Sequence, residues 1–352
     1  MVFHRTNTPR AGEQFREEAM RLSRILCAAI AAGALFAGAA SAQEERTIRW
    51  GHLNNTDHPV SFGVKKFAEI LAAKSGGKLK VREFAASQLG NELQQQSALR
   101  GGTQEMLSAS TTSLATVVPE FGLLDFPFIV GTTEQADALV LGAFGKAMID
   151  TLPQRGLVGL GYWGLGFRNV TNSKHPIAKL EDFAGLKLRV IPNPINIDWV
   201  KALGANPTPL PFPELYSALE QGAVDGQENP VATIKGAKLY EVQKYMTLTN
   251  HQYNPQSVVV SKKFWDSLAP ADRKVLQEAA TESAAYQRTQ SRAQLQAGME
   301  DLRKGGMQIT ELPPAEIAKL REKMKPVIAK HSEIVGADVV KALEAELAKL
   351  RK

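Results

Sequence analysis

Residues 270–304, "PADRKVLQEAATESAAYQRTQSRAQLQAGMEDLRK", constrain this chain more than any other stretch. Pro270 opens the segment at the one helical position where a missing N–H is harmless, and no proline follows before Lys304. Ala, Gln, Glu and Arg dominate it, all good helix formers, and Gly298 is its single interior glycine. An unbroken helix here spans roughly 50 Å at 1.5 Å per residue. One small lobe is narrower than that, so the segment is expected to brace two.

The rest of the chain supplies the lobes. "TIRWGHL" (47–53) reads as a strand, and His58-Pro59 opens a helix on which Val60, Val64, Phe67 and Leu71 share a face. "KLKVREF" alternates like a strand, "GNELQQQSALRGG" reads as a helix and "QEMLSAS" as a strand. This β-α-β-α-β rhythm predicts a parallel sheet covered by helices. It resumes with "GLKLRV", the Pro-opened "PINIDWVKALG", the helix "PELYSALEQG" and a short strand "AVDGQE". "KYMTLTN" and "QSVVVSKKF" follow as two apolar strands, and residues 314–352 as helix with a break near Gly336. The expected fold class is α/β, with two lobes joined by a lobe-spanning helix. We assign 43–165 plus 255–294 to lobe 1 and 166–254 plus 295–352 to lobe 2, with a ligand cleft between them. At 352 residues, 44% of them apolar, the chain can fill two such cores.

Residues 1–42 stand apart. Arg21 and Arg24 precede the apolar run "ILCAAIAAGALFAGAA", which ends in Ala40-Ser41-Ala42. A basic start, a short apolar middle and a small-residue exit describe an export signal, with Met20 a possible true start. The run is shorter than the roughly 20 residues of a membrane span. The only cysteine, Cys27, falls inside it, so the mature chain is expected to lack thiols, disulfides and Cys-ligated metal. Of the formal charge of +6, +2 lies in residues 1–42 (five Arg against three Glu), and the remainder is interspersed without a basic stripe. Nucleic acid is therefore not an expected partner.

Several motifs bear on chemistry. "GLGYWG" (159–164) matches G-x-G-x-x-G, but the following "LGFRNVTNSKHPI" does not start a helix, so a dinucleotide fold is rejected. The histidines beyond residue 42 are scattered, with no metal-ligand spacing, and neither a metal nor a cofactor is expected. Two arginines stand out. Arg168 lies in what reads as a polar loop. Arg189 ends the strand "LKLRV", just before a helix that Asn193 is placed to cap and Pro194 opens. An arginine there is either a carboxylate receptor, a planar fork beside a helix N-terminus, or half of a structural ion pair. Trp199 reads as core, whereas Phe212, between two prolines, is either a staple or a pocket wall. "AVDGQENP" (223–230) packs Asp225, Glu228 and Asn229 together. An acid–base pair of Asp225 and Glu228 would make an exported hydrolase, but residues three apart in a strand face opposite ways.

The segments "GFRNVTNSKHPI", "GLKLRV", "LGANPTPLPFPELYSALEQGAVDGQENP" and "LYEVQKYMTLTNH" resemble the solute-binding proteins of tripartite ATP-independent periplasmic (TRAP) transporters, the DctP family. "SQLGNE" and "PEFGLLDFPF" extend the likeness over the chain beyond residue 42. The resemblance implies a two-lobed periplasmic binding protein, not an enzyme. It would capture an organic acid as a monomer and deliver it to small and large membrane permease subunits. Carried over by position, it gives Arg189 the ligand carboxylate, Arg168 a second cationic contact, Asn229 a hydrogen bond from the other side and Phe212 a pocket wall. Glu92, Ser110, Trp163 and His58 complete the expected ligand contacts, with a capping or surface role the other reading of His58 at its helix start. The sequence departs from the sialic-acid binders of this family, having Ser110 and Ser113 where those carry Glu and Arg. A sugar acid such as a uronate, or a C4-dicarboxylate gripping both arginines, is the expected ligand. A ligand-presenting sensory module is the remaining alternative.

Overall fold

The computed structural model describes Met1 and residues 45–350. The expected export signal and Cys27 lie outside the described residues. The long helix runs from Pro270 to Lys304 without interruption, as its composition dictates. Between Leu276 and Leu302, its buried face is made of small and polar residues, Ala279, Ala280, Ser283, Ala284, Gln287 and Gly298 among them. Small side chains let its backbone approach its neighbours closely. Among the described residues no helix is long and apolar enough to cross a membrane.

One mixed sheet carries the architecture, in the order β2-β1-β3-β8-β4-β7-β5-β6, with β9 also pairing β8. On one side β1 (Arg46–Gly51) lies parallel to β2 (Leu79–Phe84) and β3 (Met106–Ser110). On the other, β5 (Lys187–Val190) lies parallel to β6 (Asn206–Pro209) and β7 (Gly226–Pro230). Between them run two long antiparallel strands, β4 (Leu157–Asn172) and β8 (Tyr245–Ser261), and β9 (Gln308–Glu311) lies alongside β8. Helix Pro59–Lys74 covers the first half, burying Val60, Val64, Phe67 and Leu71 at the expected spacing. Its core holds Trp50 stacked on Trp163 at 5.4 Å between centroids. The second half has its own core around Leu188, Val190, Trp199 and Val200.

Three expectations change. "KYMTLTN" and "QSVVVSKKF" are two ends of one strand, β8. Pro255 is tolerated inside it because it faces Gly164 where the β4–β8 register breaks, and a proline cannot donate to a regular ladder. Arg168 lies within β4 rather than in a loop, since β4 continues through the polar run to Asn172 and is paired there by β7 and β8. The strand in "AVDGQENP" starts at Gly226, not Ala223, so Asn229 and Pro230 belong to it. The glycines of "GLGYWG" sit inside β4. A Cβ on Gly164 would come within 2.7 Å of the Tyr253 hydroxyl, and one on Gly159 within 2.8 Å of Ile149. Close packing accounts for these two, whereas Gly161 has open space around it and sits at φ +152° beside a register shift in the β4–β8 ladder.

Candidate ligand-binding site

A cavity of about 700 Å³, counting its open mouth, lies where the two halves of the sheet face each other. From the first half it is lined by Asn54, Glu92 and Ser110, among others, and from the second by Arg168, Arg189, Phe212 and Asn229. The parallel strands of both halves run toward it, so it collects residues at or beyond strand C-termini.

Arg189 is buried, and its Nε donates to the Leu210 carbonyl at 2.7 Å. Its Nη1 is buried with no hydrogen-bond partner, and among the described residues no carboxylate lies within ion-pair distance. Burial lowers its pKa to about 10, which leaves it charged at neutral pH. The Phe212 ring centroid lies 5.9 Å from its guanidinium carbon. Asn193 caps helix Pro194–Ala202 as expected, accepting from the Ile195 N–H.

Arg168 is committed. Its Nε and Nη2 donate to the two carboxylate oxygens of Glu228, Nη2 also donates to the Glu228 carbonyl at 2.6 Å, and Nη1 donates to Asn254 Oδ1 at 3.0 Å. His251 Nε2 lies 3.3 Å from the same carboxylate. Burial alone would raise Glu228, but the Arg168 charge and the bonds from His251 and Arg168 outweigh it and hold the carboxyl at about 2. Arg168 lines the cavity as half of a neutral pair, not as a second free cation.

Glu92, at the start of helix Glu92–Gly101, accepts from the Ser110 N–H at 2.7 Å and from the Ser110 hydroxyl at 2.9 Å. Burial raises its pKa, and the Ser110 bonds and the Arg189 charge oppose the rise. Asn229 lines the opposite wall and donates to Gln227, which donates to Thr171 Oγ1. Asp225 turns away: its carboxylate accepts from the Lys187 N–H at 2.9 Å, whereas Glu228 faces Arg168. The two carboxylates diverge, as strand geometry requires, and form no acid–base pair.

Two expected contacts do not reach the cavity. Trp163 is 1% exposed and packs in the core against Trp50, because its position on β4 points it at helix Pro59–Lys74 instead of the cleft. His58 caps that helix, accepting from the Val60 N–H at 3.1 Å, and reaches the cleft wall only through Thr233. Sequence reasoning also missed Asn254 and Gln256, which line the cavity on either side of Pro255. The signal was there: two amides that stand two apart along a strand share one face. Asp125 was missed too. It is buried and accepts from Thr112, Gln252 and Asn193, and burial pushes it up to about 7.

Residues 50–333 match the bacterial extracellular solute-binding proteins of family 7, DctP. The chain belongs to that family. A TRAP periplasmic solute-binding protein from Ochrobactrum anthropi is 48% identical, with 88% of this chain and 97% of that one aligned at a TM-score of 0.79. A sugar-acid-binding protein from Advenella mimigardefordensis, solved with galactonate, is 40% identical over 87% of this chain and 99% of its own, at a TM-score of 0.86. The 2,3-diketo-L-gulonate-binding periplasmic protein of Escherichia coli is 34% identical over 327 residues, 92% of this chain and 99% of its own. Relatives named as C4-dicarboxylate-binding proteins match as well. The fold is thus the two-lobed TRAP binding-protein fold, with its long helix.

Proposed function

We propose that this DctP-family member is a periplasmic receptor for a hydroxylated monocarboxylate, a sugar acid, which it delivers to the small and large permease subunits of a TRAP transporter. One observation carries the reading: among the described residues, Arg189 is the cation lining the cleft that has no carboxylate within ion-pair distance. A ligand carboxylate can pair with its fork, and the charge-assisted bonds gain strength in a water-poor cleft. Arg168 is already neutralised by Glu228 and offers a second carboxylate little. Glu92 favours the same choice. Buried and hydrogen-bonded to Ser110, it is placed on the cavity wall to hydrogen-bond a ligand hydroxyl, a group that succinate lacks. Asn229, Asn254 and Gln256 supply amides for further hydroxyls.

A thermal-shift screen tests this, because a ligand that binds only the folded chain raises Tm. Aldonates and uronates should raise it more than succinate does. In Glu92→Ala the preference should narrow, because the partner for a ligand hydroxyl is gone. Stabilisation by succinate alone would return the choice to a dicarboxylate, and stabilisation by no carboxylate would sink the reading.

A further inference from the structure

A neutral imidazole carries its proton on one ring nitrogen only. In His58 the Nδ1 accepts from the Val60 N–H at 3.1 Å, closing the first turn of helix Pro59–Lys74. The proton is therefore on Nε2, which lies 3.3 Å from Thr233 Oγ1. His58 donates and the Thr233 oxygen accepts. That contact is the one hydrogen bond of the Thr233 hydroxyl among the described residues, so its own hydrogen has no protein acceptor. Thr233 lines the cavity, and His58 stands behind it.

The contact is also braced. Asn55 Nδ2 donates to the Gly236 carbonyl at 2.6 Å, tying the loop before His58 to the helix Val231–Gly236 that carries Thr233. Gln294 of the long helix donates to the Asp57 carbonyl at 3.3 Å. Burial, with a smaller push from His52, depresses His58 to about 3, consistent with a ring that stays neutral.

We propose that Thr233 is a ligand-contacting hydrogen-bond donor in the cleft, and that His58 is its positioning residue, fixing the hydroxyl so that its hydrogen points to a ligand oxygen. Among sugar acids this selects an acceptor, a hydroxyl or carboxylate oxygen, at the Thr233 wall. The inference rests on the sugar-acid reading above.

The test is calorimetric titration with galactonate and galacturonate on the mature chain. Thr233→Val keeps the shape and removes the donor, so affinity for the tighter acid should fall about tenfold, while Thr233→Ser should stay within about threefold of wild type. His58→Asn retains a capping oxygen but cannot reach Thr233. It should weaken binding in the wild-type background and have little further effect on Thr233→Val. A purely structural His58 would give the same loss in both backgrounds, and that additivity would overturn the positioning role. Wild-type affinity in Thr233→Val would overturn the donor. Should His58→Asn fail to fold, the Val and Ser pair still decides. If wild type binds neither acid, the sugar-acid reading itself fails, a result distinct from any variant effect.

Discussion

Arg189 is a buried guanidinium with an unpartnered nitrogen, and that is costly to the empty protein. Two consequences follow with opposite signs. Arg189→Met should abolish sugar-acid binding, a loss of about 2–5 kcal/mol, yet leave the Tm of the unliganded chain unchanged or higher. Arg189→Lys should also bind at least about tenfold more weakly, because a point charge cannot replace the fork. Titration together with thermal melts checks both halves, and a large drop in unliganded Tm for Arg189→Met would contradict the assignment. Glu228 behaves differently. Its carboxyl is held at about 2 against an ordinary 4.5, so its contribution is present above about pH 4.5 and is lost as pH falls through 2. Glu228→Gln strands Arg168, so its Tm should lie well below wild type at pH 7, and the gap should shrink between pH 4 and 2. At this scale, Asn229 was expected at the cleft from the family resemblance, and chain order placed Arg189 and its capped helix there. It could not tell Arg168 from Arg189, because which arginine finds a carboxylate depends on β7 pairing with β4, a contact 60 residues apart. Trp163 was misplaced for a related reason, since its face on β4 depends on register shifts that local pattern does not encode, whereas the cap that His58 makes was one of the two roles its helix-start position allowed.

The elements were more legible than the residues. The long helix, helix Pro59–Lys74 and the parallel strands of the first half follow from periodicity and proline placement. The two crossing strands were harder to read. β4 changes from apolar to polar partway, and β8 contains Pro255 and the positive-φ residue Asn250, features that normally end a strand. Tertiary pairing overrides both. Where the β4–β8 ladder breaks, Gln287 of the long helix replaces it, accepting from the Gly164 N–H at 2.9 Å and donating to the Gly164 carbonyl at 2.8 Å. Gln287→Ala leaves two buried backbone groups unsatisfied. We expect it to cost about 1–3 kcal/mol and lower Tm by roughly 2–8 °C, with sugar-acid affinity in the still-folded protein changed less than in Arg189→Lys. An unchanged Tm would mean the helix does not pin the strand through this side chain.

For the whole molecule, both halves hold their own cores and meet at a cleft crossed by β4 and β8 and braced from behind by one helix. That arrangement suits a receptor that holds a ligand without transforming it. On the proposed reading, one neutralised pair and one uncommitted cation favour an acid with a single carboxylate. The most direct measurement is a calorimetric titration of the mature protein with galactonate, galacturonate and succinate under one buffer condition. We predict one site per chain and at least one of the two sugar acids binding about tenfold or more tighter than succinate. Equal or tighter binding of succinate, or no heat with any of the three, would contradict the account.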